Sequence, residues 1–202
     1  KWSKRIWEMP VTEYRFGPRL WKTTLPDDVI SKLYKKANAL RDTGGLSKEE
    51  LSKGNKEWVA NPTLRFDAFE FTWMEGLLKP SIDHEFVIDQ AWVNYFSRGM
   101  LCPLHNHERT VHGGQMERPH HISFGIYLDV PEELVTEQVQ FHAHHPGAPP
   151  GSIEFVYMNE RQHICPKTGD VILFDASLLH MVIPFRTPNI ERVMIAGNIY
   201  LT

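Results

Sequence analysis

The strongest constraint on the fold is a β-rich run near the end of the chain, Glu191 to Leu201, bounded upstream by Pro188 and Asn189. A strand repeats every two residues, so Arg192, Met194, Ala196 and Asn198 share one face while Val193, Ile195 and Ile199 share the other. An arginine and an asparagine therefore point the same way. A buried arginine needs an anion, and its planar fork suits a carboxylate. No carboxylate of the chain is an obvious partner, which leaves a ligand as the candidate anion. Upstream, Asp170 to Phe174 reads as a short apolar strand opened by Gly169 and joined to the later one through a turn. His180 stands alone between them in an otherwise apolar stretch.

A second group of residues lies in AWVNYFSRGMLCPLHNHERT. His105 and His107 are separated by one residue, and on an extended segment that spacing aims both imidazoles at the same side. Together with His180 they could offer three neutral ligands to one face of a metal ion, leaving the opposite positions open for substrate, a chelating co-substrate or O2. A structural site would close its coordination sphere with protein atoms, so an open arrangement points to catalysis.

HNH at 105–107, SFGIYLDVP at 123–131, GDVILFDASLLHMVIPF and ERVMIAGN together resemble the small prokaryotic and phage Fe(II)/2-oxoglutarate oxygenases, relatives of the prolyl-hydroxylase-like enzymes. The likeness covers roughly Phe16 to Leu201, although the motifs occupy the second half. Its most specific element is a glycine, an apolar strand ending in Phe174, a histidine six residues later and an arginine twelve beyond that. The resemblance implies a mainly β double-stranded β-helix, a cupin-like jelly roll with flanking helices. It also implies that His105, His107 and His180 hold Fe(II) and that Arg192 binds the distal carboxylate of 2-oxoglutarate. Most such oxygenases carry an aspartate or glutamate where this chain has His107. An imidazole there leaves the ion one unit more positive, which still favours chelation of a dianionic keto acid. The same substitution brings the site close to the cupins, in which a glycine, five residues and His-x-His recur, the spacing found from Gly99 to His105.

Other residues are candidates around that centre. Ile88 to Phe96 reads as the first core strand, with Asn94 sharing parity with Trp92 and Phe96. Asn94 either faces the cofactor or serves a loop carbonyl. Ile122 to Val130 is a strand with Ser123, Gly125 and Tyr127 on one face. The resemblance makes the Tyr127 phenol a hydrogen-bond donor to the keto acid; tyrosines also occupy sheets for packing alone. Ser123 and Asn198 join Arg192, Tyr127 and Asn94 as expected cofactor contacts. Arg186 is a second candidate for the anion, set in a Pro-bounded turn. His142 and His144, in FHAHHPG, form a competing His-x-His pair next to a glycine- and proline-rich loop, whereas the adjacent His120 and His121 would point to opposite faces of a strand. Residues 108–121, ERTVHGGQMERPHH, form a polar insertion that is either a lid or a plain surface loop.

A chain of 202 residues with 42% apolar and 23% charged side chains is that of one ordinary globular domain. We expect a single domain over 1–202, with an N-terminal helical support over about 25–80 and a catalytic core over about 88–202. Val11 to Thr24 suggests one or two strands broken at Gly17 and Pro18, and Ile153 to Met158 a further strand. Pro26, Asp27 and Asp28 open the clearest helix, in which Val29, Ile30, Leu33, Tyr34, Ala37 and Leu40 recur at helical spacing before Gly44 and Gly45. Ser47 and Glu50 have capping-box spacing for a second, short helix, and the aromatic stretch 61–78 fits a helix or a strand. A net charge of −3 without a basic stripe gives no reason to expect nucleic acid, and no apolar run approaches a membrane span. Two cysteines are too few for a disulfide framework, so a reducing, cytoplasmic setting is expected. The partners expected are O2 and an unidentified substrate, a protein side chain or a small molecule, with homodimerisation left open. The rival readings are a cupin-type three-histidine dioxygenase that dispenses with 2-oxoglutarate, a zinc hydrolase, and a non-catalytic jelly-roll binding module.

Overall fold

The computed structural model describes residues 12–14, 17–42, 64–65, 74–107, 111–112, 115–116 and 120–202. The expected break at Gly17 and Pro18 separates β1 (Thr12–Glu13) from β2 (Leu20–Thr24), which pair antiparallel. Helix α1 (Asp27–Asp42) follows, with Asp27 and Asp28 in its first turn and Arg41 in its last, complementing the helix dipole at both ends. Its Val29, Ile30, Leu33 and Ala37 are buried as one stripe. The proposed helix after Ser47 lies outside the described residues. Of the ambiguous stretch 61–78, both alternatives occur in part: β3 (Leu64–Arg65) is extended and residues 74–78 are helical.

The core strands are β4 (Phe86–Ser97), β5 (Cys102–His105), β8 (Ile122–Asp129), β9 (Ile153–Tyr157), β10 (Glu160–Ile164), β11 (Asp170–Asp175), β12 (Leu179–Val182) and β13 (Glu191–Leu201). A small ribbon, β6 (Val111–His112) with β7 (Gln115–Met116), lies in the polar insertion. The strands form a seven-stranded sheet in the order β1-β2-β11-β8-β13-β4-β3 and a four-stranded sheet in the order β10-β9-β12-β5. Every pairing in them is antiparallel. This is the jelly roll, or double-stranded β-helix, expected from the sequence.

Both faces of the large sheet are covered, which explains why β8 is buried along nearly its whole length. On one face Ile122, Phe124, Ile126 and Leu128 of β8 join Val193, Ile195 and Ile199 of β13 in a cluster with Val29, Leu33 and Ala37 of α1. On the other face Tyr127, Met194, Ile172 and Phe174 pack with Ile153, Phe155 and Val182 of the small sheet. The Tyr95 hydroxyl donates to the Ala37 carbonyl at 2.8 Å, tying α1 to β4.

Two sequence expectations need correction. The strands at Asp170 and Glu191 are not joined by a simple turn, because the chain crosses to the small sheet and lays down β12 between them. In the large sheet β8 separates β11 from β13. The second correction is an unanticipated helix, α2 (Glu132–His142), which begins after Pro131 with Glu132 and Glu133 in its first turn and buries Leu134 and Gln138. No helix among the described residues is long and apolar enough to cross a membrane.

Candidate metal centre

His180 on β12 and His105 on β5 are direct cross-strand partners. Neighbouring strands set opposed side chains about 5 Å apart, so this register alone brings two imidazoles together. Their ring centroids are 4.3 Å apart. His107 lies two residues beyond His105, where its backbone N–H donates to the Ala176 carbonyl at 2.7 Å just after β11. That bond bends the chain end inward, and His107 Nε2 comes within 3.1 Å of His105 Nε2. One ligand atom from each of the three histidines lies within 4.8 Å of the other two.

The ring orientations follow from hydrogen bonding. A carbonyl oxygen can only accept, so the contacts from His105 Nδ1 to the Pro103 carbonyl (2.6 Å) and from His180 Nδ1 to the Leu178 carbonyl (3.0 Å) place a proton on each Nδ1. Each Nε2 then carries a lone pair. Backbone carbonyls behind the rings are the usual means of orienting imidazole ligands. Burial, with the neighbouring His105 and His120 adding to it, pushes His107 down to about 3. Burial, with His105 and His107, likewise holds His180 well below the usual histidine range. Both rings are therefore neutral ligands at physiological pH. The donor set, three buried or half-buried imidazoles with ligand atoms within 4.8 Å of one another, suits a divalent transition metal.

The triad borders a cavity of about 760 Å³ between the sheets, whose walls also include Trp92, Asn94, Phe96, Ser123, Tyr127 and Phe174. Phe174 meets the His180 ring edge to face at 4.6 Å, and Trp92 stacks on His107 at 6.1 Å. Behind the wall lies Arg192, fully buried. Its guanidinium sits over the rings of Phe96 (4.5 Å) and Tyr127 (5.5 Å), and its Nη1 donates to the Gly151 carbonyl. Among the described residues its Nε and Nη2, together with the Tyr127 hydroxyl, have no hydrogen-bond partner. Unpaired buried polar atoms are costly, so three in one place mark a position for a polar ligand. Burial lowers the Arg192 pKa from its ordinary value and pushes the Tyr127 phenol up to about 12, so at neutral pH the phenol is protonated and can donate.

The other sequence candidates divide. Asn94, Ser123 and Tyr127 line the cavity, as their strand parity requires. Asn198 is buried and accepts a hydrogen bond from the Ser123 hydroxyl at 2.9 Å. Arg186 is exposed, and its backbone N–H donates to Glu137 at 2.9 Å, away from the triad. His142 closes α2 and His144 follows it; both are exposed, and neither belongs to the metal-holding group found among the described residues. His120 and His121 diverge: His120 is buried and its Nδ1 contacts the His107 carbonyl at 3.1 Å, while the exposed His121 accepts from the Leu201 N–H. The sequence reading missed Cys102, which lines the cavity with its sulfur 3.8 Å from His105 Nδ1 and its thiol pushed up by burial to about 11. Strand parity gave no signal for it, since residues three apart on a regular strand face opposite sides, whereas the pairing of β5 with β12 is irregular.

No protein-family model matches the chain, and no curated protein is significantly similar to it in sequence. Solved structures are similar in fold. A prolyl-4-hydroxylase of Pseudomonas putida matches at 15% identity over 92% of this chain and 94% of its own, with a TM-score of 0.58. The viral collagen prolyl hydroxylase of Paramecium bursaria Chlorella virus 1, in its 2-oxoglutarate complex, matches at 16% identity over 92% and 97%, with a TM-score of 0.54. HygX of Streptomyces hygroscopicus, with nickel and 2-oxoglutarate bound, matches at 13% identity over 91% and 83%, with a TM-score of 0.53.

Proposed function

We propose that this chain is a non-haem Fe(II)- and 2-oxoglutarate-dependent dioxygenase that hydroxylates a C–H bond of its substrate, consuming O2 and releasing succinate and CO2. The observation that carries the reading is the pairing of two features at one cavity. Three imidazole ligand atoms lie within 4.8 Å of one another, and a fully buried arginine behind the cavity wall has no partner for Nε and Nη2 among the described residues. His105, His107 and His180 hold the metal, while Arg192 and the Tyr127 hydroxyl receive the distal carboxylate of the co-substrate. Asn94, with Ser123 held by Asn198, supplies polar contacts along the cavity wall. The bound metal and keto acid supply the oxidising chemistry. The chain supplies orientation: the Pro103 and Leu178 carbonyls fix the His105 and His180 rings, Phe174 packs against His180, and Trp92 stacks on His107. Its apolar walls exclude water from the reacting groups. Structural likeness to enzymes solved with 2-oxoglutarate supports the reading.

His107 in place of a carboxylate favours one second reading, a cupin-type dioxygenase in which the substrate itself chelates the metal and Arg192 holds the substrate carboxylate. Anaerobic Fe(II) titration with and without 2-oxoglutarate separates the two. A metal-to-ligand absorbance that appears only with 2-oxoglutarate supports the proposal. Tight iron binding without that response favours the second reading, and absence of tight metal binding overturns both. We place the protein in the cytoplasm with O2 and an organic substrate as partners. Its two free cysteines, Cys102 and Cys165, support a reducing compartment.

A further inference from the structure

The cavity holds more room than a five-carbon diacid fills, and its remaining wall has a distinct chemistry. The turn between β4 and β5 contributes Arg98, Gly99, Met100 and Leu101 to it. Among the described residues no aspartate or glutamate lines the cavity, and Arg98 is the permanently charged residue of those that do. Arg98 is exposed, so it meets the cavity at its solvent side. Among the described residues nothing engages its guanidinium, whereas Arg19, Arg41 and Arg161 each pair with a carboxylate. The turn is firmly held. The Gly99 N–H donates to the Phe185 carbonyl (2.9 Å), the Met100 N–H to the Ser97 carbonyl (3.2 Å), and the Ser97 N–H to the Met100 sulfur (3.3 Å). Gly99 itself adopts φ +77, a conformation that other side chains resist. An unpaired cation displayed from a rigid turn beside an apolar wall suits a ligand that is apolar at one end and anionic at the other.

We infer that the substrate of this site is a small amphiphilic carboxylate, its apolar body packed on Met100 and Leu101 and its carboxylate paired with Arg98. The inference rests on the reading of the metal centre given above. Arg98 thereby sets specificity: an arginine fork binds a carboxylate through two parallel hydrogen bonds and discriminates against the uncharged amide of the same shape.

The test is calorimetric titration of the full chain with naphthoate and with naphthamide, for the wild type, R98Q and R98K, with and without Zn(II) and 2-oxoglutarate. The wild type is expected to bind naphthoate about tenfold more tightly than naphthamide, the scale of one charge-assisted contact. R98Q should erase that preference while keeping the naphthamide affinity, and R98K should restore part of it. Equal affinity for the two probes, an unchanged preference in R98Q, or binding of neither probe overturns the inference. So does tight binding of a neutral prolyl peptide that R98Q leaves intact. The reading of the metal centre is tested separately by the iron absorbance of the wild-type chain, so each can fail without the other.

Discussion

At the scale of single residues the decisive group is Arg192, because its burial is unfavourable unless something fills the space beside it. With Nε and Nη2 unpartnered, the guanidinium carries a desolvation cost that an anion would offset. Replacing it with methionine, similar in length and apolar, should therefore separate stability from function. For R192M we expect urea unfolding of the ligand-free chain to show stability equal to or above wild type. Calorimetry should show 2-oxoglutarate affinity weakened on the order of 100-fold, the usual consequence of removing one partner of a buried charge pair. Loss of stability together with unaltered 2-oxoglutarate binding would mean that Arg192 serves only the packing of β13. This residue was legible before any coordinates: an arginine at an even-numbered position among Met194, Ala196 and Asn198 must turn inward when they do. Its stacking partners Phe96 and Tyr127 were not legible, since they come from strands whose neighbours along the sheet the sequence does not state.

Among the elements, strand parity carried most of the information. The alternation gave the shared faces within β4, β8 and β13 one strand at a time; in the structure Asn94, Ser123 and Tyr127 line the cavity and Arg192 stacks on Phe96 and Tyr127. The crossing of the chain between β11 and β13 was not legible, because a four-residue strand such as β12 has too short a pattern to distinguish from a turn. Yet that strand delivers His180 opposite His105. Helix α2 was not legible although Glu132 and Glu133 follow Pro131 in a good starting arrangement, because a stripe that buries Leu134 and the polar Gln138 gives a weak apolar period. Helix α1 shows how the scaffold and the site are divided. Leu33 is fully buried against the sheet face that looks away from the cavity. L33A should cost about 3 kcal/mol in urea unfolding by leaving a cavity in that layer. Metal affinity in the folded variant should match wild type. A parallel loss of metal binding would show that the two faces of the sheet are coupled.

For the whole molecule, the metal-free protein should be acid-sensitive earlier than its carboxylates would make it. His107 is pushed down to about 3 and His180 well below the usual range, so in the folded state both stay neutral while in the unfolded state they protonate near 6.5. A lowered folded-state pKa means stability present in full above the unfolded value and lost as pH falls below it. Urea midpoints of the metal-free chain should therefore decline between pH 6.5 and 5, before most carboxylates titrate, and H107Q should flatten that decline. A midpoint unchanged over this range in the wild type would mean that the imidazoles are more open to water than their placement implies.

The most direct test of the central claim is the position of the metal itself. Crystals of the chain grown with Fe(II) in the absence of oxygen, measured at the iron absorption edge, should show one anomalous peak within bonding distance of Nε2 of His105, His107 and His180. A peak elsewhere, at His142 and His144 for example, or no peak despite saturating Fe(II), would contradict it.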